Sequence, residues 1–218
     1  MMMPTGASAQ NLPRDLPEEF RAFLAAFPAG EDVRPYDGEL PPQLSEHAHP
    51  SLIAFWRKVG FGSFGNGFLV FFNPHDYESV LARWLQRDQP DPSLIPFART
   101  AFGDIIYFRD LREKAKQHGL PADWKNASDV VFLSIHYHRT EMITWSMDEF
   151  FATALQQFLK DNEGSFYKLS SSLNTKQLGK GECYFFVPAL ALGGKVSKDS
   201  VKSGNCLVHQ DILLQLHQ

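Results

Sequence analysis

Cysteine is nearly absent from this chain: among 218 residues only Cys183 and Cys206 occur. Two isolated thiols exclude both a disulfide framework and a four-cysteine zinc site. No run of about eighteen apolar residues exists, so no segment reads as a membrane-spanning helix. Met1–Gln10 lacks a basic stretch followed by an apolar one and does not read as a signal peptide. The expected location is therefore the cytoplasm. No internal repeat of twenty to fifty residues is visible, which argues against a solenoid or propeller. An excess of basic charge is missing too. The formal net charge is -4, which disfavours nucleic acid as a direct ligand.

What the chain does have is apolar and aromatic bulk. Hydrophobic residues make up 44%, charged residues 21%, and phenylalanine alone contributes 19 side chains. That is enough for a sizeable, ring-rich core and argues against general disorder. Charge is unevenly spread. In residues 1–50, Arg14, Arg21 and Arg34 face eight acids: Asp15, Glu18, Glu19, Glu31, Asp32, Asp37, Glu39 and Glu46. Such a front end repels phosphate and attracts a basic partner.

Residues 1–13 read as a flexible leader. Pro17 opens a helix whose Phe20, Phe23, Leu24 and Phe27 share one face. Pro28 and Gly30 stop it, and residues 29–49 read as a meandering surface segment. Leu52, Phe55, Trp56 and Val59 repeat the helical spacing, with Gly60 as the stop. Asn66-Gly67 before Phe68–Phe72 predicts a turn into a buried strand. Asn73 and Pro74 cap a third helix with Tyr77, Val80, Leu81, Trp84 and Leu85 inward. The proline-broken stretch 86–93 marks an internal boundary. Strands follow at about 94–101, 104–109 and 129–138, and Ser146 with Glu149 forms a capping box. Glu182–Val187 reads as a strand, and 206–216 as a final helix carrying Leu207, Val208, Asp211, Ile212 and Leu216. The irregular mixture predicts an α+β fold, with a mixed or antiparallel sheet, flanking helices and two closely packed subdomains, 14–92 and 93–218.

The candidate chemistry is incomplete everywhere. Gly60-Phe61-Gly62-Ser63-Phe64-Gly65 matches a dinucleotide string, but a helix precedes it and a strand follows, the reverse of what a pyrophosphate site needs. It reads as a glycine-rich turn. His136 and His138, on one face of the expected 129–138 strand, offer two metal ligands with Glu141 near in sequence and no evident third. Asp104 begins a strand after Gly103 without a partner carboxylate for acid–base work. Cys206 and His209 share the helical spacing of neighbours, which core packing explains. No Gly-x-Ser-x-Gly or phosphate loop occurs. Binding is favoured over catalysis, with no cofactor expected. The competing reading is a small metal-dependent or acid–base enzyme built on Asp104, His136 and His138.

Three stretches carry a resemblance. Phe55-Trp56-Arg57-Lys58-Val59-Gly60, through Asn66-Gly67-Phe68, to Asn73-Pro74-His75-Asp76-Tyr77 resembles the GAD-like domain of bacterial proteins. Thr100-Ala101-Phe102-Gly103-Asp104 and the run Gly181–Gly194, with its Phe-Val-Pro-Ala-Leu-Ala-Leu-Gly-Gly, resemble the domain that commonly follows it. The pair is similar to immunity proteins of type VI secretion systems, including one that guards Agrobacterium against its own DNase effector. The resemblance spans roughly residues 14–216. It implies a stoichiometric inhibitor of a cognate toxin, a DNase in that case, which keeps nucleic acid from the toxin's active site. It transfers no interface residues. Electrostatics select Glu31, Asp32, Asp37, Glu39 and Glu46 as the partner-binding candidates, since a nuclease cleft must be basic.

Overall fold

The computed structural model describes residues 15–175 and 178–217, so the expected leader lies outside the described residues. Three helices come first: α1 (Glu18–Ala26), α2 (Pro42–His47) and α3 (Pro50–Lys58). The strands β1 (Gly62–Phe64), β2 (Leu69–Phe71), β3 (Leu94–Thr100), β4 (Ile105–Asp110), β5 (Ser128–Ser134) and β6 (Arg139–Thr144) form one antiparallel sheet in sequential order. Helix α4 (Glu78–Trp84) connects β2 to β3, and α5 (Arg112–Gln117) connects β4 to β5. After β6 come α6 (Met147–Glu149), a π-helical segment (Phe150–Ala154), α7 (Leu155–Asp161) and α8 (Tyr167–Ser170). A hairpin of β7 (Glu182–Phe186) and β8 (Val201–Asn205) and then α9 (Cys206–Leu216) complete the chain. This is the expected α+β class with an antiparallel sheet. No helix among the described residues is long and apolar enough to cross a membrane.

The near-continuous apolar runs of β4 and β5 have a direct cause: both faces of the sheet are covered. Ile106, Phe108, Val130 and Phe132 point to a core shared with α1, α3 and the π-helical segment. Ile105, Tyr107, Val131 and Leu133 point to a second core shared with α4 and α9. The first core is built on rings. Phe55 stacks on Phe151 at 4.5 Å and meets Phe20 and Phe23 edge-on at 5.3 Å.

Several local expectations change. The segment 29–49 is not wholly irregular, because Pro42–His47 forms α2. Asn73 caps as expected, its side chain accepting from His75 N–H, but the capped element is a 3-10 turn, Pro74–Asp76, that leads into α4. Ser146 Oγ accepts from Glu149 N–H at 3.2 Å, as the capping box requires. The 129–138 strand ends early: residues 135–138 are a turn, with His138 at φ 48°, and the chain doubles back as β6. The apolar side chains of α9 are also turned around. Leu207, Val208, Ile212 and Leu216 are exposed, while Cys206, His209, Gln210, Leu213 and Leu214 are buried. The cause is polar: Gln210 Nε2 donates to the Gly103 carbonyl at 2.7 Å, and Cys206 N–H donates to the Gly181 carbonyl at 2.8 Å. Those two bonds choose the buried face. The sheet continues across residues 92–93, with β2 paired to β3 from Leu69↔Thr100 to Phe71↔Ala98.

Candidate functional site

The acidic segment is held on the sheet's β1 edge by backbone contacts. Ala29 bridges Phe64 and Arg34 bridges Phe61, so residues 29–34 lie along β1. Two glycines of the Gly60–Gly65 string explain how the chains approach so closely. Gly60 has φ 114°, and a Cβ there would overlap the Arg34 carbonyl and the Pro35 nitrogen. Gly62, at φ 139°, would place a Cβ 2.6 Å from Val33 Cα. The string is thus a seat for a distant backbone segment, the use to which glycine lends itself best.

Side chains complete the clamp. Tyr36 N–H donates to the Trp56 carbonyl at 2.8 Å, and Arg57 donates to the carbonyls of Gly38 at 2.6 Å and Tyr36 at 3.2 Å. Tyr36 Oη donates to the Glu39 carbonyl at 2.8 Å. At the far end, Arg112 grips the Asp110 carboxylate at 2.9 and 2.8 Å and donates to the Glu46 carbonyl at 2.6 Å. The same guanidinium lies 3.6 Å over the Trp124 ring. His47 Nδ1 sits 2.8 Å from Asp110. Burial works against ionisation of Asp110, yet Arg112 and His47 together hold its pKa below the ordinary carboxylate value. This fork is a bidentate, charge-assisted pair of the kind that fixes geometry.

All five candidate acids are exposed. They are not equivalent. The Asp32 carboxylate accepts from Ser63 N–H at 3.1 and 3.2 Å and from Ser63 Oγ, so it anchors the loop. Glu46 has Arg112 beside it. Glu31, Asp37 and Glu39 have no ion pair among the described residues. Of the holders of this surface, Gly60 stood out in the sequence only as a helix stop and part of a glycine-rich turn, and Tyr36, Arg57 and Arg112 had no role assigned, because nothing local marks a contact between distant positions.

The residues of the competing enzyme reading are not gathered around a pocket. Asp104 is fully buried and bonded within the core: Thr100 Oγ1 donates to it at 3.0 Å and Ile135 N–H at 3.1 Å. Burial raises its pKa well above the usual carboxylate range. His136 is buried, its Nε2 2.9 Å from the Phe102 carbonyl and its ring among Phe102, Phe166 and Phe186. His138 keeps other company, against Trp84 and His217. The two histidines therefore do not share a strand face, because they lie in the turn after β5. No cluster of three His, Cys, Asp or Glu side chains with metal-binding geometry occurs among the described residues. Cys183 and Cys206 are both buried and lie together against Gly103, whose missing Cβ would sit 3.3 and 3.2 Å from their sulfurs. Gly103 thus seats the β7–β8–α9 unit on the sheet, its carbonyl accepting from Gln210 while the Ala101 carbonyl accepts from Tyr184 N–H at 2.7 Å.

This buried polar hub has a pH signature. Burial pushes the His136 imidazole down to about 3 and that of His209 to about 4. An unfolded histidine takes up its proton near pH 6.5, while these stay neutral in the fold. Their stabilising contribution is complete above that value and declines as pH falls toward the folded-state pKa. Asp104, with its raised pKa, acts in the opposite sense over the acid range. From pH 7.5 to 5.0, His136 alone removes about 2 kcal/mol. Urea unfolding of His136→Gln at both pH values will lack that portion of the loss; an unchanged pH dependence would contradict it.

Residues 18–117 match the GAD-like domain family, and residues 144–217 match the family "T6SS immunity protein Tdi1, C-terminal". None of the curated proteins matches the chain. Among solved structures, Atu4351 from Agrobacterium tumefaciens superposes with a TM-score of 0.61 at 19% identity, over 90% of this chain and 88% of that one. At that identity the likeness establishes the shared fold. The chain thus carries two family matches in order, a GAD-like domain over residues 18–117 and the C-terminal domain of the T6SS immunity protein Tdi1 over residues 144–217.

Proposed function

We infer that this protein neutralises a cognate type VI toxin by direct binding in the cytoplasm, that the toxin is a nuclease, and that the acidic segment covers its substrate cleft without catalysing any reaction. The observation that carries most weight is the immunity-type domain at residues 144–217. The clamped acidic segment supports the mechanism. A nuclease cleft must be cationic to hold phosphates, and carboxylates presented on a fixed backbone imitate that charge. Glu31, Asp37 and Glu39 are exposed while the backbone around them is tied down, by Arg34 at the Glu31 carbonyl, by Arg57 of α3 at the carbonyls of Tyr36 and Gly38, and by Tyr36 Oη at the Glu39 carbonyl, so little ordering entropy is lost when they are covered. Asp32 and Glu46 contribute charge at the margins.

The test is affinity capture of the tagged protein from cells expressing their own secretion effectors, followed by native mass measurement. The expected result is a one-to-one complex with a toxin-domain protein whose DNA cleavage stops on addition of one equivalent. Recovery of no toxin-domain protein from those cells would contradict the reading.

A further inference from the structure

The two edges of the six-stranded sheet are treated differently. On one side, β1 is covered by residues 29–34 through the bridges at Phe61 and Phe64. On the other, β6 pairs only with β5, and among the described residues no further backbone hydrogen bond reaches Arg139–Thr144. Every second peptide group along roughly 20 Å of strand therefore points outward with its N–H and C=O unfilled.

Beside that edge lies an open groove of about 600 Å³. Its walls are the β6 side chains Arg139, Glu141 and Ile143 and, from α7 and the turn after it, Phe158, Asp161 and Glu163. The floor is apolar, since Ile143 and Phe158 are only partly buried and pack against the main core. The rim is acidic. Arg139 is already paired with Glu141 at 2.8 Å, which leaves Asp161 and Glu163 as exposed carboxylates without an ion pair among the described residues. On the sheet's other face Met142 is 43% exposed, and Trp145, just beyond the strand, is 55% exposed.

An open edge asks for an extended backbone, an apolar floor beside it asks for alternate apolar side chains, and an acidic rim asks for cations. We propose that the β6 edge and its groove bind an extended, lysine- or arginine-bearing segment of the toxin, added as a seventh strand. This mode of recognition takes its affinity from main-chain hydrogen bonds and its selectivity from the pockets alongside. Charges on an edge strand normally discourage unselective pairing; here they set the sign of the partner that is accepted. The identity of the partner rests on the toxin-binding reading above. The surface is separate from the acidic segment, which lies along the opposite edge, so the toxin is held at two places.

The experiment uses the full chain and a synthetic nine-residue peptide of alternating lysine and valine, followed by amide NMR and hydrogen exchange. Shifts and slowed exchange are expected at residues 139–144, with smaller shifts at 157–164. The same peptide with glutamate for lysine should bind at least tenfold more weakly. The variant Glu141→Lys/Asp161→Lys/Glu163→Lys, with an otherwise unchanged amide spectrum, should lose at least tenfold in affinity for the lysine peptide. Shifts elsewhere, no shifts, or equal binding of both peptides would overturn the proposal. So would concentration-dependent protection of 139–144 without peptide, accompanied by a doubled solution mass, which would assign the edge to a second copy of the chain. Failure to recover a toxin in the capture experiment strikes the functional reading instead, because the peptide measurement decides the groove independently.

Discussion

Gly60→Ala will detach the acidic segment from the sheet and cost the fold about 3 kcal/mol or more, because the new methyl group falls on the Arg34 carbonyl and the Pro35 nitrogen. Both obstacles are backbone, so no side-chain rotation relieves the overlap. The glycine also stands at φ 114°, a region an L-residue enters only at further expense. Relief requires residues 33–35 to lift away, which breaks the Arg34–Phe61 bridge and the Tyr36 to Trp56 bond. Denaturant unfolding will register the loss of stability. Hydrogen exchange will register its location, with faster exchange at Arg34 and Tyr36 and little change in β4 and β5. Toxin affinity should drop at least tenfold with the carboxylates themselves intact. Wild-type stability in Gly60→Ala would show that the segment is not seated as described.

Charge reversal at Glu31, Asp37 and Glu39 should have the opposite profile. These side chains are exposed and have no ion pair among the described residues, so the triple lysine variant should keep its stability within about 1 kcal/mol. Association with a cationic cleft should nevertheless slow by about two orders of magnitude at low salt, since steering by complementary charge governs encounter. The dissociation rate should change less, being set by whatever apolar anchors are buried. A variant that is stable but associates at the wild-type rate would remove the acidic segment from the mechanism. Gly60→Ala and the triple variant together separate position from charge.

Much of the fold was legible because its signals are local. Phe20, Phe23 and Phe27, or Leu52, Phe55 and Trp56, announce helix faces by spacing, and Ser146 with Glu149 announces a helix start. The apolar runs of β4 and β5 announce burial on both sides. What was hidden depended on distant partners. The turn at 135–138 contains no glycine, asparagine or proline, and Ile-His-Tyr-His passes for strand until His138 is seen with positive φ. Helix α9 looks as though it buries its aliphatic residues, but the bonds of Gln210 and Cys206 to remote carbonyls rotate it the other way. Hydrophobic periodicity carries no information about such bonds. The candidate site divides likewise: its charge was readable from composition, whereas its clamp of Gly60, Arg57 and Arg112 joins residues up to 66 positions apart.

In the proposed mechanism a fixed row of carboxylates meets a basic toxin surface. The most direct measurement is the association rate of the wild-type protein with its captured toxin at 50 and 500 mM salt. A fall of at least tenfold over that range is expected, abolished in the Glu31→Lys/Asp37→Lys/Glu39→Lys variant, because the Debye length shrinks well below the reach of the segment's field. An association rate that is insensitive to salt, and equal in the two proteins, would contradict it.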